Sequence, residues 1–195
     1  MPDQVFTAGQ ILTASQMTTL QKNSALVPIT PTGATGGTIS GFITTINAGV
    51  AQVALSGVFS STFDNYKIIV NGGVGSAVQA IGFQLTGSAI GYYGSTIVAA
   101  YNSTTVSSNP TTADSLWRYA GVSGPNNNYL DLDVLGPNLA KTTAGTGAYI
   151  NPSTTGNGGT FSGYHDGLTQ FTGFSIIVGG TMTGGTIACY GYRKS

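Results

Sequence analysis

The sequence predicts an all-β fold, an antiparallel sandwich of jelly-roll type preceded by one short helix and an extended linker. Three observations point there. Gly, Thr, Ser and Asn contribute 30, 28, 18 and 12 of the 195 residues, a composition that favours strands and tight turns. Short runs with two-residue alternation recur through residues 42–195, separated by Gly, Pro and Asn clusters. Only one stretch carries a helix start signal.

That stretch lies in the amino-terminal segment, 1–27. Thr13 can cap the backbone N–H of Gln16 while the Gln16 side chain reaches back, and Leu12 with Met17 forms a hydrophobic staple. Met17 and Leu20 then share a face with Ala14. Isolated helices shorter than about 12 to 15 residues are marginal in water, so this one needs a surface to pack on. Residues 28–41 contain two prolines and no strand or helix period, and read as an extended linker.

The sandwich domain is expected over 42–195. Its clearest strands are 50–56, 66–71, 81–86, 96–101, 116–120, 129–135, 174–178 and 186–192. In the third, Ile81, Phe83 and Leu85 alternate with Gly82, Gln84 and Thr86. In the sixth, Leu130, Leu132 and Val134 alternate with Asp131 and Asp133. Turn clusters such as Gly124-Pro125-Asn126-Asn127 lie between them, with no helix among them, which is the pattern of a sandwich.

Charge is scarce: 6% of residues against about 25% in an ordinary domain, with no Glu and a formal net charge of zero. A surface this poor in charge tends to self-associate, and residues 68–113 carry none at all. Packing around a threefold axis would cover such a surface, so the expected assembly is a homotrimer. A balanced charge excludes the electrostatic footprint of a nucleic-acid binder. No apolar run approaches the length of a membrane span, and Met1-Pro2-Asp3-Gln4 does not open like a signal peptide.

Candidates for chemistry are few. His165 stands in Ser162-Gly163-Tyr164-His165-Asp166, and the expectation is a strand-end histidine using Asp166 as a local partner rather than a catalytic base. Asp131 and Asp133 share a strand face at a spacing where two carboxylates could share a cation such as calcium. Without the further ligands of a calcium loop, a solvated or interface face is the expected reading, and a threefold axis gathering three copies would favour an ion. Cys189, in an apolar run, reads as a buried inert thiol. Gly72-Gly73-Val74-Gly75 is followed by strand rather than helix, so it cannot cradle a phosphate. No metal, cofactor or catalytic residue is assigned. Tyr92, Tyr93 and Trp117 could instead stack against sugar rings, with core or interface packing as the alternative.

Two regions resemble phage tail proteins of the minor-tail or tail-fibre kind. Phe6-Thr7-Ala8-Gly9-Gln10-Ile11-Leu12-Thr13-Ala14-Ser15-Gln16-Met17 is similar to their short amino-terminal segment, although Thr18 stands where many relatives have Asn. Phe59 to Lys67 and Gly184 to Arg193 are similar to the opening and closing strands of a β-rich distal module. The resemblance implies a non-enzymatic virion protein made in the host cytoplasm. Its helix (Leu12, Thr13, Gln16, Met17, Leu20) would dock on other virion proteins, and its β-body would face outward, toward host saccharide. A capsid decoration or head-fibre protein is the alternative address. A polysaccharide-degrading enzyme is the weaker one, because glycoside hydrolysis ordinarily takes two carboxylic acids at the scissile bond.

Overall fold

The computed structural model describes residues 13–14, 26–153 and 156–194. Thr13 is exposed, while Leu12, Gln16, Met17 and Leu20 of the expected docking helix lie outside the described residues. The rest is strand and turn: β1 (Leu26–Ile29), β2 (Gly33–Thr35), β3 (Gly37–Ser40), β4 (Ile43–Ile46), β5 (Val50–Ser56), β6 (Asn65–Gly72), β7 (Val74–Gly75) and β8 (Gln79–Leu85), followed by β9 (Tyr92–Ala100), β10 (Val106–Asp114), β11 (Trp117–Gly124), β12 (Asn127–Leu135), β13 (Thr143–Ile150), β14 (Asn157–His165), β15 (Phe174–Thr183) and β16 (Thr186–Tyr192).

Every pairing among them is antiparallel, and the result is a β-sandwich. The front layer runs β10-β9-β14-β13-β12-β6-β16-β1. The back layer runs β11-β8-β15-β5-β2. The layers join at β12, one edge of which pairs with β11 near its start and with β13 further along, while its other edge pairs with β6.

Residues 28–41 are extended, as expected, but they do not stand apart as a linker. β1 pairs with β16, β2 with β5, and β3 with β4, which in turn pairs with β16. Short strands with Pro28 and two glycines hide the alternation that would have marked them, because sheet membership here comes from backbone pairing with distant strands.

The expected alternation holds where side chains from one strand fill the interior. Ile81, Phe83 and Leu85, and Leu130, Leu132 and Val134, are fully buried. Between the layers runs a continuous chain of rings. Phe171, His165, Tyr92, Trp117, Phe83, Phe174, Phe59 and Tyr66 each contact the next, at centroid separations from 4.6 to 5.8 Å. Offset and edge-on ring contacts of this kind add about 0.5 to 1.5 kcal/mol each beyond their area.

Trp117 reaches across from the back layer into a trough in the front one. Gly94, Gly163 and Gly145 lie in register on β9, β14 and β13. A Cβ on Gly145 would come within 2.6 Å of the indole, and one on Gly163 within 3.1 Å of Nε1. The missing side chains of Gly145 and Gly163 make room for the indole, whose Nε1–H donates to the Tyr164 carbonyl at 3.1 Å, while Gly94 leaves space for the Phe161 ring. Burying it is worth about 5 kcal/mol on area alone.

The sheet edges are blunted. β10 carries Pro110 and an irregularity between Thr111 and Asp114, where Ala113 takes φ 50°. β1 is four residues long and includes Pro28, and β2 has three. Such edges resist strand addition.

Candidate functional site

Of the aromatic residues expected to meet saccharide, Tyr92 and Trp117 are 0% exposed. Neither can stack against a ligand, which corrects that expectation. Alternation decides their fate: both are on inward positions, and tyrosine or tryptophan supplies the bulk that the glycine trough lacks. Tyr93 faces the opposite way from Tyr92, half-buried on the outer face of the front sheet, where its ring stacks on Tyr164 at 4.9 Å and 8°.

Buried Tyr92 organises a loop instead. Its Oη accepts from the Leu85 N–H at 2.7 Å and donates to the Ser88 carbonyl at 3.2 Å, holding the turn that leaves β8. Burial pushes its phenol up to about 12.

Across from that turn sits His165, 3% exposed at the end of β14. Its partner is not Asp166, as the sequence suggested. Nδ1 accepts from the Gly167 N–H at 3.1 Å, and Nε2 lies 3.0 Å from the Ile90 carbonyl and 2.7 Å from Ser88 Oγ. A neutral imidazole that accepts at Nδ1 carries its proton on Nε2, so it donates to Ile90 and Ser88. A general base for Ser88 would need the other tautomer, with Nδ1–H held by a carboxylate. The pair fastens two loops together.

Between those loops, 86–91 and 166–173, is a cleft of about 460 Å³. The Asp166 N–H donates to the Gly91 carbonyl at 3.1 Å. Gly91, at φ 84°, leaves space for the Asp166 carboxylate, which a Cβ there would strike. Phe171 closes the floor edge-on to His165. Ser88, Thr169 and their neighbours were not marked by the sequence, because the loops are far apart along the chain and each reads locally as ordinary turn.

Asp131 and Asp133, considered for a shared cation, are met by one from the chain itself. Lys67 on β6 forms ion pairs with both, and Tyr192 on β16 donates to Asp133. Burial works against the Lys67 charge, but the two carboxylates outweigh it and hold the ammonium above the ordinary lysine range. Burial and the Asp133 bond likewise raise Tyr192. Among the described residues no three His, Cys or Asp side chains gather as a metal set. Cys189 is buried as expected, its thiol pushed up to about 12 by burial.

The outer face of β10, β9, β14 and β13 differs from this. No charged residue occurs between Tyr92 and Ala113 or between Thr142 and His165. Ser95 pairs with Ser162 and Ile97 with Thr160 across β9 and β14, and Ile97, Tyr101, Val106 and Tyr164 are exposed. No family model, no curated protein and no solved structure matches the chain.

Proposed function

We propose that this chain is a structural virion protein, a tail-fibre or minor tail component, docked through residues 1–27 and assembled as a homotrimer that presents its β-sandwich outward. The observation that carries the reading is the uncharged half of the front sheet. Its strands offer hydroxyls, alanines and exposed Ile97 and Tyr101 with no charge to keep a second copy away. Because β10 is blunted by Pro110 and its bulge, association uses the face rather than the edge. The amino-terminal resemblance to phage tail proteins supplies the address, and the tautomer of His165 argues against a hydrolytic role.

The test is electron microscopy of intact virions labelled with an antibody raised against residues 42–195, beside sedimentation of the purified chain. Label at the tail and a mass of three chains are expected. Label spread over the head would move the protein to capsid decoration. A monomer at high concentration would remove the trimer.

A further inference from the structure

We propose that the cleft between residues 86–91 and 166–173 binds a neutral saccharide. The ligand chemistry is read from the cleft itself; its use as a host contact rests on the function proposed above, to which it gives an address that Tyr92 and Trp117 cannot.

Size comes first. At about 460 Å³ the cleft falls within the roughly 300 to 1,000 Å³ of ordinary small-ligand sites. Its lining then restricts the ligand. Thr86, Thr169 and Thr172 bring exposed hydroxyls and Gln170 an exposed amide. Ile90, 76% exposed, and Ala89 add apolar surface beside them. Asp166 is the sole charged group of the lining. A phosphate, sulfate or sugar acid would find no cation there, and a metal ion would find a single carboxylate. A ring edged with hydroxyls and faced with C–H groups satisfies both kinds of surface at once.

The walls are also fixed before any ligand arrives. His165 donates to Ile90 and accepts from Gly167, Tyr92 holds Leu85 and Ser88, and Asp166 bonds Gly91. Both loops are therefore tied to buried rings, and little ordering cost remains for binding.

The experiment screens the full chain against an array of neutral gluco-, galacto- and N-acetylhexosamine oligosaccharides together with sialylated and uronic-acid glycans. The best binder is then titrated with Ala89→Trp, which fills the mouth, with the double variant Thr169→Val/Thr172→Val, and with Tyr164→Ala on the sheet face. Binding of a subset of neutral glycans is expected, weakened at least tenfold by both cleft changes and unaffected by Tyr164→Ala. Should Ala89→Trp fail to fold, the valine variant decides. The proposal is overturned if no neutral glycan binds, if acidic glycans are preferred, if the cleft variants bind normally, or if Tyr164→Ala abolishes binding. Labelled tails with no glycan binding would sink this site and leave the virion reading intact. Glycan binding without virion label would do the reverse.

Discussion

The two halves of the front sheet's outer face handle polarity in opposite ways. Across β12, β6 and β16, charge is present and neutralised within the chain, Lys67 lying between Asp131 and Asp133 with Tyr192 alongside. Across β9, β14, β13 and β10 as far as Ala113, charge is missing, and Ser95, Ser162 and Thr160 share the surface with Ile97 and the stacked Tyr93 and Tyr164. The interiors differ in parallel. Leu130, Leu132, Val134, Ile68 and Val70 fill the space beneath the charged half. Beneath the other half, glycines leave a trough that Trp117 fills from the opposite layer. One half is complete in itself; the other depends on a side chain from elsewhere inside and is open to a neighbour outside.

The largest effect expected is at that borrowed side chain. Trp117→Ala should cost about 4 kcal/mol in urea unfolding, and should expose β13 and β14 amides to hydrogen exchange before those of β6. Uniform loss of protection would mean that the two halves are not separate in stability. Next comes pH. Tyr92 rises from 10.0 to about 12 and Cys189 from 9.0 to about 12 on folding. The folded state thus holds protons that the unfolded chain has released, so their stabilisation is full below about pH 9 and is lost between about pH 9 and 12. Unfolding midpoints should fall through that window, and Cys189→Ala should flatten its lower part; a midpoint constant to pH 11 would contradict the burial of both groups.

On the charged half, Lys67→Met should cost roughly 2 kcal/mol at neutral pH by leaving two half-buried carboxylates uncompensated. Adding Asp131→Asn and Asp133→Asn should restore most of it, and no recovery would show that Lys67 acts through packing. The smallest effect on stability is expected at Thr160→Lys, within about 0.5 kcal/mol. That change should still dissociate the proposed trimer in sedimentation; an unchanged mass would place the interface elsewhere.

The same contrast explains what could be read from the sequence. Strands 81–86 and 129–135 announced themselves because they carry their own inward apolar side chains. β13 did not, since its inward Thr143, Gly145 and Gly147 contribute almost no bulk; β14 buries Phe161 and His165, but its inward Gly159 and Gly163 interrupt the alternation. Alternation detects a strand through the side chains it buries, so a strand that serves as a socket is silent. Tyr92 and Trp117 were visible as aromatics, but placing them inside required knowing which sheet faced them. His165 and Asp166 were noticed; Ser88, which the fold brings against His165 from 77 residues away, had no local signal.

The pairing of Leu26 with Tyr192 puts the start of β1 and the end of β16 at one corner. A pull applied between these two points loads the four rungs of that ladder one after another, as a zipper, rather than all together in shear. The corner is accordingly the mechanically soft joint of the fold, and a load carried by residues 1–25 would peel β1 away while the sandwich behind it stayed shut.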